Sequence, residues 1–220
     1  MTRYQKSIWL FAVLLLTGAP ASAQVEHQEH HPPQSTARYI EILEDPSRDA
    51  WQQPQRVVSA LGLKPGEVVA DLGSGPGYFT LRFARAVGPS GKVYAIDISQ
   101  EMLDYLEKQA HARGLSNIQT ILAEPHDPKL PPDSVDLIFI CDTLHHIPDR
   151  PSYYPFLMRA LRPGGRLVNI DFHKRPLPVG PPVEMKISRA EMVREAEAAG
   201  FHLERQYGFL KYQYFLVFRR

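Results

Sequence analysis

The sequence predicts an α/β protein built on a mostly parallel sheet. Three observations carry this. Short, almost wholly apolar runs such as "VVADL", "KVYAIDI" and "VDLIFIC" alternate with helical patterns, and alternating strand and helix units imply parallel crossovers. "VDLIFIC" has no polar alternation, as expected of a parallel strand buried on both faces. The last twenty residues hold two strand-like runs with no room for a helix between them, which adds an antiparallel pair at the sheet edge.

Composition sets the bounds. With 220 residues, 44 % of them hydrophobic, the chain can bury one good-sized core and is most simply one globular domain with appendages. The 25 Lys and Arg balance 24 Asp and Glu for a formal charge of +1, so no global field favours nucleic acid or an anionic membrane. Nor is there a basic stripe interleaved with aromatics. Cys141 is the only cysteine, which excludes an intramolecular disulfide framework and a multi-cysteine metal site. No metal site is expected.

The elements follow in order. Residues 1–23 have the three parts of a secretory signal: Arg3 and Lys6, the apolar run Ile8 to Leu16, and Ala21-Ser22-Ala23 as a small-x-small cleavage site. Nine apolar residues fall short of the roughly 20 that span a bilayer, so export to a periplasm or beyond is expected, with anchoring by the same segment as the alternative. Residues 24–35 form a linker containing His27, His30 and His31, read as polar chain and not as a metal site. Residues 36–60 are helical: Tyr39, Ile40 and Leu43 recur at helical spacing, "DPSR" interrupts, and Pro54 opens a second helix that Gly62 stops. Residues 61–220 form the remaining domain. It runs strand (Glu67 to Leu72), helix (Phe79 to Val87), strand (Lys92 to Ile98), then a helix that Ser99 caps and Gly114 ends. Strands follow at Ile118 to Leu122 and Val135 to Cys141, a helix at Tyr153 to Leu161, a strand at "RLVNIDF", a helix at Ser188 to Ala199, and the closing pair.

The stretch "DLGSGPGYF" occupies the first strand-to-helix turn, where open α/β sheets bind ligands. No lysine follows Gly77, which excludes a P-loop. The spacing Gly73-x-Gly75-x-Gly77 also departs from the dinucleotide G-x-G-x-x-G. Bare backbone amides and carbonyls suit a zwitterionic amino-acid tail, and Asp71, two residues before Gly73, suits a bound ammonium better than a pyrophosphate.

These residues resemble the first motif of class I methyltransferases that use S-adenosylmethionine, and the agreement runs from about Leu61 to Arg220. Asp97 resembles the second-strand acid that holds both ribose hydroxyls. Glu124 stands where that family carries an acid near the adenine amino group, with His126 or Asp127 able to share the role. "VDLIFICDTLHHI" resembles the fourth-strand motif, and "LMRALRPGGRLVNIDF" the helix, Pro-Gly-Gly turn and fifth strand. The resemblance implies a Rossmann-like, seven-stranded sheet with a C-terminal antiparallel hairpin, and a cofactor site of Asp71, Gly73, Ser74, Gly75, Gly77, Asp97, Ile98, Glu124 and Cys141. It implies transfer of a methyl group from a sulfonium by in-line displacement. Where the acceptor carries a proton, a base adds about 10²- to 10⁴-fold. Candidates are Asp142, His145 and His146 after the fourth strand and His173 after the fifth, the alternative being that the histidines fix the loop or pack on the cofactor.

Arg48, Trp51 and Gln52 lie where related enzymes place a lid over the cofactor. The segment Lys174 to Ile187 and the lid are both short, leaving no separate domain for a macromolecule. The expected acceptor is a small molecule or the head group of a lipid or quinone, handled by a monomer without an obligate protein partner. The signal segment keeps a second reading open, an exported noncatalytic module that binds S-adenosylmethionine or its demethylated product.

Overall fold

A computed structural model describes residues 35–220. The segments read as export signal and linker therefore lie, up to residue 34, outside the described residues. Among the described residues no helix is long and apolar enough to cross a membrane.

Three short helices come first: α1 (Thr36–Leu43), α2 (Arg48–Gln52) and α3 (Pro54–Leu61). The sequence pattern missed α2 as a separate element; it starts at Arg48, the last residue of the "DPSR" break, within the stretch read as helical. Then follow β1 (Val68–Leu72), α4 (Thr80–Val87), β2 (Lys92–Asp97), α5 (Gln100–Ala112), β3 (Ile118–Leu122), β4 (Val135–Cys141), α6 (Arg150–Ala160), β5 (Leu161–Phe172), α7 (Arg189–Ala198), β6 (His202–Tyr207) and β7 (Gln213–Arg219). The seven strands form one sheet in the order β3-β2-β1-β4-β5-β7-β6. β1 to β5 are parallel, and β7 runs antiparallel to both β5 and β6. The seven-stranded sheet with its closing antiparallel pair is thus as expected.

β5 begins five residues earlier than the sequence pattern suggests. Leu161 already pairs with Val135, and the Pro163-Gly164-Gly165 turn is absorbed as an irregularity in the register, with Gly164 at φ +74°.

Side chains alternate across the sheet and divide the core in two. On one face Val69, Val93, Leu137, Phe139, Val168 and Phe215 pack with Val57 and Leu61 of α3 and Phe83 and Val87 of α4. Leu106 and Ala110 of α5 join that layer against Ala95. On the other face Ala70, Ile138, Ile140, Leu167 and Leu216 pack with Tyr154 and Leu157 of α6 and Met192 of α7. Val57 and Leu61 are fully or almost fully buried, so α3 belongs to the core layer. The division expected at residue 60 falls inside it, and only α1 and α2 remain as a cover.

The chain direction across the sheet reverses between β1 and β4, both hydrogen-bonded to neighbours on opposite sides. That switch point opens a crevice at the carboxyl ends of the strands. Asp71, Asp97, Cys141 and Phe172 stand at or next to those ends.

Candidate functional site

The glycine loop is held from two sides. The amides of Gly73 and Ser74 both donate to the Ile96 carbonyl, at 2.8 and 3.0 Å, tying the loop to β2. Gly75 donates its amide to Asp97 Oδ2 at 2.8 Å, and Ser99 donates to Asp97 Oδ1 at 2.9 Å. One carboxylate therefore joins the loop to the start of α5. A carboxylate has about four acceptor positions, so each oxygen keeps capacity after these bonds. Burial pushes the Asp97 carboxyl above its ordinary value, opposed by the amides of Ser99, Gly75 and Ile98.

Two glycines are required by geometry. Gly73 has φ +75° and a Cβ there would lie 2.1 Å from Thr143 Oγ1; Gly77 has φ +101° and its Cβ would lie 2.3 Å from Leu106 Cδ1. Ser74 is buried, and its Oγ has no partner among the described residues. Beside Asp97, Ile98 and Leu122 are 67 % and 50 % exposed, an unusual apolar shelf at the ends of β2 and β3. These features fit the predicted nucleoside and amino-acid ligand: a buried hydroxyl lacking a partner, a carboxylate with free acceptor positions, and apolar surface for a base to cover.

Asp71 lies deeper than an open strand-end acid. Its carboxylate is buried beneath the loop, and its Oδ2 accepts from Thr80 Oγ1 at 2.5 Å. Burial pushes Asp71 up to about 7, the Thr80 hydrogen bond opposing and the Asp97 charge adding. Asp142 rises to about 6, through burial and the neighbouring Asp171 charge, with Arg48 opposing. Both acids hold protons more tightly folded than unfolded. Their contribution to stability is complete below the unfolded value of about 4 and is lost as pH rises through about 6 and 7. Urea midpoints of the free protein should thus fall between pH 5 and pH 8, and Asp71→Asn should flatten that fall; an equally steep slope in the variant would contradict the assignment. A cationic ligand reverses the preference, so binding near pH 6 should release protons, measurable as a buffer-dependent heat.

α1 and α2 cover the crevice. Leu43 Cδ1 lies 3.5 Å from where a Cβ on Gly75 would be, and Tyr105 of α5 donates its hydroxyl to Glu44. Arg48 sits 4.0 Å over the Tyr78 ring and 3.8 Å from Asp142 Oδ2. Gln52 is fully buried and donates to Gln213 Oε1 at 2.8 Å, while Gln213 donates to Asp142 Oδ1 at 2.6 Å. Trp51 packs on Phe172 and Tyr212, ring centroids 5.7 and 6.5 Å apart. The three residues expected in a lid thus all touch the carboxyl end of β4 or β5 or the amino end of β7, which the antiparallel pairing brings to the same side of the sheet. Tyr39 of α1 is close enough to Asp97 and Asp142 to feel both charges.

The base candidates separate. Asp142 takes a left-handed φ of 55° and is anchored by its amide to Ile170 O at 2.9 Å. His145 is almost fully buried, and its Nδ1 lies 2.9 and 3.1 Å from the two oxygens of Asp171, itself without exposure. Burial pulls the His145 imidazole down, but the hydrogen bond and charge of Asp171, with the Asp142 charge, outweigh it and leave it above its ordinary value. His146 is exposed, its ring 4.2 Å from that of His145. His173 is half-buried, 6.1 Å from the Tyr214 ring, and burial with Arg175 lowers its imidazole. Of the four, only Asp142 and His145 meet in one buried cluster.

Two further cofactor candidates stand at strand ends with their side chains engaged. Cys141 packs its side chain in the core layer with Phe139 and Ile170, and burial drives its thiol well above the ordinary range. Glu124 is exposed and pairs with Lys129 at 2.9 Å, one residue past Ala123, whose amide donates to the Asp97 carbonyl at 2.9 Å. Its neighbour Asp127 also faces Lys129, at 3.3 Å. Sequence reasoning missed Asp171, Lys186 and Gln213. Asp171 had a signal, a charged residue in an apolar strand, since such residues are almost never fully buried unless paired; Gln213 had none.

Comparison with known proteins agrees with this architecture. A model of the methyltransferase domain family matches residues 63–207. Ubiquinone/menaquinone biosynthesis C-methyltransferases are similar: the one from Vibrio campbellii is 33 % identical over 118 residues, covering 53 % of this chain and 46 % of that protein. The one from Hahella chejuensis is 35 % identical over 119 residues, 54 % of this chain and 48 % of that protein. The chain thus matches just under half the length of these relatives. A crystal structure of an S-adenosylmethionine-dependent methyltransferase from Aquifex aeolicus superposes with a TM-score of 0.79 at 32 % identity, covering 84 % of this chain and 98 % of that one. With the glycine loop, the β2 acid and the seven-stranded sheet in their places, the chain belongs to the class I, S-adenosylmethionine-dependent methyltransferase family.

Proposed function

We propose that this protein transfers the methyl group of S-adenosylmethionine to a small molecule, of the size of a quinone or lipid head group. The observation that carries the reading is Asp97: its oxygens hold the glycine loop and the start of α5 while keeping acceptor positions beside exposed Ile98 and Leu122. The same arrangement suits a ribose diol with its base lying on the apolar shelf. With the amides of Gly73, Ser74 and Gly75 already donating within the protein, the Ser74 hydroxyl and the loop carbonyls would hold the amino-acid tail, with Asp71 beneath them.

S-adenosylmethionine supplies an electrophilic methyl group, and the chain's part is alignment and exclusion of water. Positioning of this kind provides roughly 7–11 kcal/mol of barrier reduction. Trp51, Phe172 and Tyr212 give the covered end of the crevice an aromatic lining suited to a flat acceptor. The covering segment of only about 20 residues supports a small acceptor over a macromolecule, and export by the N-terminal segment remains part of the proposal.

The test is turnover. Incubation of the full chain with S-adenosylmethionine and a panel of phenols, quinols, amines and thiols should form S-adenosylhomocysteine only where an acceptor is present. Tight binding of the donor with no product from any class would favour the noncatalytic module instead.

A further inference from the structure

Near the methyl-transfer crevice, three groups do not bear on donor binding. Asp171, at the end of β5, is fully buried and spends its carboxylate on His145 Nδ1 and on the Phe172 amide at 2.8 Å. The bond at Nδ1 selects one tautomer and leaves Nε2 as the basic nitrogen, for which no partner stands among the described residues. Lys186, in the segment before α7, is 3 % exposed. It donates to the Arg175 carbonyl at 2.9 Å and lies 5.9 Å from the Phe172 ring centroid. A buried ammonium has three donors, and a single hydrogen bond accounts for one of them. A charged side chain buried this deeply is costly unless paired or hydrogen-bonded; Lys186 packs near Phe172, the neighbour of Asp171, and the charges of Asp171, Glu184 and Arg175 act on it while its own acts on His145.

We propose that Asp171 is a positioning residue that turns His145 into a proton acceptor, and that Lys186 holds the oxygen anion so formed, selecting an acceptor with an acidic hydroxyl such as a phenol or enol. The step balances within the chain and its ligand. The acceptor O–H bond breaks, its electron pair stays on oxygen, and the proton bonds to His145 Nε2. The new imidazolium is offset by Asp171 and the new oxyanion by Lys186. The groups bearing on His145 are Asp171 from β5, Asp142 from the end of β4 and Lys186 from the segment before α7, with His146 beside its ring and Arg48 of α2 reaching Asp142. The inference rests on the methyl-transfer reading for its purpose, but its chemistry is read without the donor.

The experiment uses 4-nitrophenol as a chromophoric probe of ionisation, with the full chain and no S-adenosylmethionine. The bound probe should show its phenolate spectrum at a pH about one unit or more below that needed in water. His145→Gln and Asp171→Asn should abolish that shift and Lys186→Met should reduce it at least tenfold in affinity for the phenolate. Nitrogen-15 imidazole spectra should report a proton on His145 Nδ1 in the parent and lose that preference in Asp171→Asn. A probe that fails to bind at millimolar concentration, or ionises equally in the parent and in His145→Gln, overturns the proposal. Calorimetry with S-adenosylmethionine separates the two readings: retained donor affinity in these variants leaves methyl transfer standing whatever the probe shows, and also confirms that the variants fold.

Discussion

Replacing Asp97 with alanine is expected to weaken S-adenosylmethionine binding by about 10²- to 10⁴-fold. Hydrogen bonds to a charged group contribute about 1.5–3 kcal/mol each, and the carboxylate is positioned to accept two from a ribose diol. The substitution also releases the Gly75 amide, which donates to Asp97 Oδ2, and the Ser99 amide, which donates to Oδ1. Both hydrogen bonds are only partly buried, so water can replace part of what the fold loses, and the fold should lose less than the ligand does. Asp97→Asn gives the internal comparison: it keeps one acceptor oxygen and the side-chain volume and should fall between parent and alanine. Isothermal calorimetry of all three reads this directly. Affinity within threefold of the parent in Asp97→Ala would place the nucleoside elsewhere.

Gly73→Ala is expected to lower the melting temperature by about 10 °C, with or without ligand. Two separate penalties meet at this position. The backbone at φ +75° is strained for any residue with a Cβ, and that Cβ would fall 2.1 Å from Thr143 Oγ1 and 2.7 Å from Thr143 Cβ. Left-handed strain costs about 1–3 kcal/mol and overpacking about 1–3 kcal/mol, while 1 kcal/mol moves the midpoint of a domain this size by about 2–4 °C. The double variant Gly73→Ala with Thr143→Gly removes the clash and leaves the strain, so it should recover the steric part only. Recovery to the parent value would show that strain contributes nothing.

What could be read from the sequence follows from how locally each feature is encoded. β1, β2 and β4 announce themselves because strands buried on both faces must be apolar throughout. The glycines are legible because a left-handed backbone at Gly73 and Gly77 admits almost nothing else, and Asp97 because it ends an apolar strand. The covering network was not legible. Gln52 meets Gln213 across 161 residues of chain and Gln213 meets Asp142 across 71, and no spacing encodes such a pairing. α2 escaped notice because five residues of mixed polarity carry no period. Glu124 rests on resemblance alone, and no local pattern announces that Lys129 pairs with its carboxylate. Cys141 ends β4 at the crevice while strand alternation turns its side chain into the core. His145 and His146 looked equivalent until Asp171, 26 residues on, distinguished them.

Methyl transfer itself is tested most directly with S-adenosylmethionine carrying a labelled methyl group, incubated with the full chain and a metabolite extract enriched in phenols and quinols. The predicted result is label recovered in a small organic-extractable product, with an equal amount of S-adenosylhomocysteine and no transfer by Asp97→Ala. Label that stays on intact, tightly bound S-adenosylmethionine, with no S-adenosylhomocysteine formed, would contradict it.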